Sequence, residues 1–172
     1  MTRRLDRGAP SRRPPLYTPE ERARRDATGW TLVQGILAPV QLVVMLVSVG
    51  FVVRYLRTGD GLAAAHASVI AKTVALYAIM VTGALWEKAV FGRYLFAKAF
   101  FWEDAVSFVV ITIHTVYLAG LVGGFLAPRA LMYVALAAYA LYAVNALQFV
   151  YKLRLARLDG AAGARLATAG AA

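Results

Sequence analysis

Four apolar blocks dominate this chain, at residues 30–53, 67–90, 101–127 and 130–153. Each meets the roughly 20 residues that a helix needs to cross about 30 Å of hydrocarbon at about 1.5 Å rise per residue. Such spans must satisfy their own backbone polar groups, so the blocks predict helices. Composition agrees, because 60% of the 172 residues are apolar, well above the roughly 45–50% of soluble domains. A disordered or collagen-like chain is excluded. Four spans occupy more than half the length, which leaves room for one domain. The expected fold class is all-α: an integral membrane bundle of four transmembrane helices with a basic cytoplasmic N-terminal arm. With no cysteine, disulfides, thiolate metal sites and thiol nucleophiles are excluded. Chemistry falls to carboxylates, His, Lys, Tyr or a bound molecule.

The flanks set the boundaries. Residues 1–29 carry eight arginines against Asp6, Glu20, Glu21 and Asp26. No apolar region with a small-residue cleavage site follows directly, so this reads as a cytoplasmic arm rather than a cleaved signal peptide. Within it, Thr18-Pro19-Glu20-Glu21 combines an N-cap residue, a first-turn proline and first-turn acids, which predicts a short helix from about residue 19. The transmembrane domain is expected over 30–157, and the Gly/Ala-rich stretch 158–172 as a flexible tail. Lys and Arg in the flanks and connections number 15 on the side holding both termini and 3 on the other. The positive-inside rule then places both termini in the cytoplasm. The arm's basic face suits membrane lipid headgroups, and no nucleic acid is implied.

Polar residues inside the spans fall in stripes. Gln34, Gln41, Ser48 and Tyr55 recur every seven residues, a line drifting about 20° per heptad, which predicts one inward face on the first span. On the third span Glu103, Ser107, His114 and Tyr117 lie near one stripe, with Asp104 about 100° round from Glu103. His114 stands about 16 Å beyond Glu103 by helical rise. An ionisable group at that depth is a functional candidate by default, against a neutral histidine bonded to a neighbouring helix. Lys72, near the outer end of the second span, is expected to snorkel to the boundary, and His66 to be a surface residue. There is no GxGxxG, Walker or HExxH pattern and no internal repeat.

Residues 86–104, WEKAVFGRYLFAKAFFWED, concentrate aromatics and charges. As an interfacial belt the aromatics need no further role. Read functionally, they form a shallow site for a flat, apolar, anionic ligand. Trp86, Tyr94 and Trp102 would pack its ring, Lys88 or Arg93 would pair with its carboxylate, and Glu87, Glu103 and Asp104 would remain for proton transfer. Tyr142, Asn145, Gln148 and Lys152 share a face of the fourth span and would close that site from the other side.

The segments LYTPEERARRDATGWTLVQGILAPVQ, KTVALYAIMVTGALWEKAVFGRYLFAKAFFWEDAVSFVVITIHT and NALQFVYKLRLARL resemble the 3-vinyl bacteriochlorophyllide hydratase family of bacteriochlorophyll biosynthesis. The resemblance runs over residues 16–158, and its WEK, VFG, YLFA and FFWED core is specific. It implies a hydro-lyase of the bacterial inner, intracytoplasmic photosynthetic membrane. Its substrate would be a chlorophyllide-type Mg-tetrapyrrole, whose 3-vinyl group takes up water to become 3-(1-hydroxyethyl). No cofactor or redox chemistry is needed for that. An acid must protonate the terminal vinyl carbon and a base must take a proton from the attacking water.

Glu87, Glu103 and Asp104 supply that set, with Glu103 favoured as the acid and His114 as an alternative base or an axial ligand to the substrate magnesium. Substrate contacts fall to Lys88, Arg93, Trp86, Tyr94, Trp102, Asn145 and Gln148. A homo-oligomer, or contact with other pigment-biosynthesis enzymes, stays open. The competing class is a non-catalytic pigment-binding or assembly protein, which needs aromatics and His but no acid cluster. A transporter fits less well, since the spans show no repeats or broken half-helices.

Overall fold

The structure, a computed structural model, describes the backbone of residues 15–169 and the side chains of residues 15–158. The first fourteen residues of the basic arm, and residues 170–172, lie outside it. Five helices follow in order: α1 (Pro19–Ala27), α2 (Trp30–Thr58), α3 (Leu62–Phe91), α4 (Phe101–Gly123) and α5 (Pro128–Ala169). No strand occurs among the described residues. The last four are long and apolar enough to cross a membrane.

Local chemistry explains the ends. Thr18 and Glu21 form a reciprocal capping box at the start of α1, with Pro19 in the first turn, which satisfies two otherwise orphaned backbone donors. Between α2 and α3 the chain reverses through Gly59 and Gly61 at φ 80° and 83°. Those left-handed values cost a side-chain-bearing residue energy that glycine avoids, so the reversal takes only three residues.

Short connections make α2/α3 and α4/α5 two antiparallel hairpins, each closely packed along its length. The hairpins then meet through α2 with α5 and α3 with α4. Val52, Val69, Leu76, Val110, Tyr117, Met132 and Ala135 fill the centre. Leu32, Ile36, Val43 and Leu46 face outward, an apolar exterior that suits lipid.

Because lipid is as apolar as the core, packing and polar contacts between helices must hold such a bundle. The stripe on α2 supplies them. Gln34 donates from Nε2 to Thr82 Oγ1 at 2.8 Å, Gln41 donates to the Ala75 carbonyl at 3.1 Å, and Ser48 bonds both Ser68 at 2.8 Å and Tyr139 at 2.7 Å. Each such contact contributes on average about 0.6 kcal/mol.

Several expectations are corrected. The reversal between the first two spans is tighter than the composition suggests, so α3 begins at Leu62, five residues earlier than residue 67. Lys72 is therefore carried too deep to snorkel. It is fully buried, bonded to Gln41 Oε1, with its ammonium 3.6 Å from the Tyr142 ring centroid. His66 is half-buried rather than a surface residue, since its Nδ1 meets the Tyr117 hydroxyl at 2.6 Å. The backbone of helix α5 continues to Ala169. Alanine, the strongest helix former, outweighs the glycines there.

Candidate active site

Glu87 lies near the end of α3, whereas Glu103 and Asp104 stand in the first turn of α4. The nine-residue connection 92–100 folds these ends together, and all three carboxyl groups are buried, with exposures of 4%, 5% and 4%. The α4 N-terminus favours negative charge in its first turn, which accounts for acids there but not for their removal from solvent.

The connection's own backbone supplies partners. Asp104 Oδ2 accepts the Phe96 N–H at 2.7 Å, and Glu87 Oε2 accepts the Ala97 N–H at 3.0 Å. Phe96 has φ 56°, a left-handed conformation that costs a bulky residue of order 1–3 kcal/mol and persists only when its surroundings enforce it. Its ring stacks on Phe108 with centroids 5.5 Å apart, and Asp104 fixes its amide. The Glu87 and Asp104 carboxyl groups also lie close enough to interact with one another. A protonated carboxyl can donate to an ionised one, so the two are able to hold one proton between them.

Glu103 has a different partner. Its Oε2 lies 2.7 Å from Lys152 Nζ, and the same ammonium donates to the Ala99 carbonyl and sits 5.0 Å from the Phe100 ring centroid. Further along α5, Asn145 is 6% exposed and donates to Ser107 Oγ at 2.7 Å. Asn145 Oδ1 and Gln148 Oε1 are buried without a hydrogen-bond partner among the described residues. His114 donates from Nδ1 to the Val110 carbonyl at 2.8 Å, leaving Nε2 buried with a bare lone pair. Buried polar atoms are nearly always bonded, so these orphans point to a missing polar partner.

An aromatic cluster covers the end of this site nearest α1. Tyr17 is buried against Phe91, stacked at 5.9 Å, and near Phe100 at 6.4 Å. Trp86 packs edge-on to Phe91 and Phe100. Arg24 donates to the Val90 carbonyl at 2.7 Å, which straps α1 onto α3, and Thr31 of α2 reinforces this by accepting from Trp86 Nε1 at 2.9 Å and donating to the Arg25 carbonyl at 2.6 Å. Burial pushes the Tyr17 phenol up to about 12, against the pull of nearby Arg25.

The chain was then compared with known proteins. The family profile described as 2-vinyl bacteriochlorophyllide hydratase (BCHF) matches residues 17–155. The chain belongs to this family. It is similar to a protein of Cereibacter sphaeroides named 2-vinyl bacteriochlorophyllide hydratase, 64% identical over 152 residues that cover 88% of this chain and 92% of that one. A Rhodobacter capsulatus protein of the same name is 60% identical over 152 residues, covering 88% of each. The 2-vinyl and 3-vinyl names denote the same enzyme. No solved structure matches the chain.

Against that family, the site residues expected from sequence divide into two groups. Glu87, Glu103, Asp104 and Asn145 are buried, with Trp86 and Gln148 half-buried, and His114 lies buried deeper in the bundle. Lys88, Arg93, Tyr94 and Trp102 are exposed around the connection. Lys88 donates to the Gly92 carbonyl at 2.9 Å and lies 5.2 Å from the Tyr94 ring centroid. Arg93 is close enough to Glu87 to act on it electrostatically. Sequence reasoning missed the seat of Tyr17 and the pairing of Lys152 with Glu103. The only signal for the latter was the shared α5 face with Asn145 and Gln148.

Proposed function

We propose that this family member adds water across the 3-vinyl group of a chlorophyllide-type tetrapyrrole, giving the 3-(1-hydroxyethyl) product of bacteriochlorophyll biosynthesis. The relatives named as hydratases support the reaction. The observation that carries the chemistry is the convergence of three buried carboxyl groups at the α3–α4 junction. Hydration of a vinyl group needs one proton delivered to carbon and one removed from water, and a mixed set of protonated and ionised carboxyls supplies both.

The remaining residues serve the pigment. The bare lone pair of His114 Nε2 suits an axial bond to the substrate's magnesium, with the base role as its alternative. Lys88 and Arg93, exposed beside the junction, suit the propionate, while Trp86, Tyr94 and Trp102 offer aromatic faces. Asn145 and Gln148 offer unpartnered oxygens to water or pigment. The enzyme sits in the bacterial inner, intracytoplasmic photosynthetic membrane with both termini cytoplasmic, a reading supported by four apolar helices and the 15-to-3 bias of basic residues.

Incubating membranes that carry the protein with the vinyl pigment tests this. A hydratase shifts the absorption band because the vinyl group leaves conjugation. Pigment recovered unaltered would leave a binding protein instead.

A further inference from the structure

The three carboxyls are chemically alike but differently partnered. Glu87 and Asp104 face each other and accept from the connection's amides. Among the described residues Glu103 is the one of the three in an ion pair, with Lys152 Nζ at 2.7 Å and side-chain exposures of 7% and 21%. An ammonium at that distance gives the Glu103 carboxylate a charge-assisted hydrogen bond and fixes where its oxygens point. Lys152 also binds the Ala99 carbonyl, so it ties α5 to the same connection whose amides hold the other two acids. On the same face of α5, one and two turns before Lys152, stand the unpartnered oxygens of Gln148 and Asn145, the latter 6% exposed. They give an attacking water acceptors beside Glu103.

The geometry points to Lys152 as the positioning residue that makes Glu103 the general base of the hydration and leaves proton delivery to the Glu87–Asp104 pair. This rests on the hydratase reading and reverses the role that the helical stripe favours for Glu103. The step balances. The pair gives its proton to the terminal vinyl carbon, where a C–H bond forms as the π electrons leave, and the adjacent carbon becomes a cation delocalised into the ring. Water oxygen bonds that carbon, and Glu103 takes the released proton. Transfer of one proton from Glu103 back to the pair restores the site, with one water added overall. The charged groups interacting with Glu103 are Lys152 from α5 and Asp104 from its own helix, and Asp104 in turn faces Glu87 of α3, which has Arg93 of the connection beside it.

Lys152→Met, Lys152→Arg, Glu103→Gln and the Glu103→Gln/Lys152→Met double variant test this in membranes, with kcat and KM as readouts. Wild-type membranes must first hydrate the pigment; if they do not, the hydratase reading fails and this inference with it. Given activity, Lys152→Met is expected to lower kcat about 10- to 100-fold with little change in KM. Lys152→Arg restores most of the rate. The double variant is no slower than Glu103→Gln alone, since both changes act through one group. An unchanged kcat in Lys152→Met, or additive losses in the double variant, overturns the inference while leaving the hydratase reading intact. If Lys152→Met does not insert, Lys152→Gln takes its place under the same criteria.

Discussion

Glu87 and Asp104, on different helices, come together as interacting carboxyl groups at the α3–α4 junction, each accepting a backbone N–H from the connection between them. That arrangement separates shape from chemistry. Glu87→Gln and Asp104→Asn keep an oxygen for the Ala97 or Phe96 amide but cannot release a proton to carbon. Either change is expected to cut the hydration rate by about 10²–10⁴-fold. Normal membrane insertion, judged by yield and helical circular dichroism, must accompany the loss. Full activity in both variants would remove the pair from the mechanism.

Lys72 and Gln41 give a stability test away from this junction. Gln41→Leu leaves a fully buried ammonium without its oxygen acceptor, a loss of about 1–3 kcal/mol or more for a charged group. Lys72→Met removes the ammonium itself and costs less, because a flexible apolar chain still packs on the Tyr142 ring. Combining the two leaves no unpaired polar atom from this bond and recovers most of the stability. Thermal unfolding in detergent, followed by tryptophan fluorescence, ranks the three. A double variant weaker than both singles would contradict the account.

What the sequence revealed followed from helical geometry. The seven-residue spacing from Gln34 to Tyr55 foretells the inward face of α2 because a heptad is close to two turns. Pro19 and the residues around it announce α1 because capping is local chemistry. The acids at 103 and 104 were visible as candidates for the same reason. What they bond to was not, since Lys152, Ala97 and Glu87 reach them only through tertiary packing. Lys72 was misjudged because its depth depends on where α3 begins, and a three-residue glycine turn moved that start. The left-handed Phe96 carries no sequence signal at all, for its strain is imposed by Asp104 and Phe108.

Tyr17 anchors α1 over the junction, with its ring among Phe91 and Phe100. Tyr17→Ala opens a cavity there and undocks α1, since no residue within that helix is buried to hold it. Limited proteolysis should then cut within residues 17–29 several-fold faster than in the wild type, with the transmembrane helices unaffected. Unchanged cleavage would mean that Arg24 and Thr31 suffice to hold the helix.

Membrane orientation and pigment anchoring share one connection. Reporter fusions at residues 60 and 95 are expected on opposite sides of the membrane, with 95 cytoplasmic. Lys88→Ala and Arg93→Ala should raise KM for a pigment bearing a free propionate while leaving kcat near normal, and should have little effect on its methyl ester. Equal effects on acid and ester would move the propionate elsewhere.

The most direct test of the central claim is isotopic. Membranes containing the protein are incubated with the vinyl pigment in water enriched in oxygen-18, and the product is weighed by mass spectrometry. The account predicts a product equal to substrate plus one water, with its new oxygen drawn from solvent, and loss of that product in Glu87→Gln. Pigment that binds and returns with its mass unchanged, from wild-type protein that is correctly inserted, would contradict it.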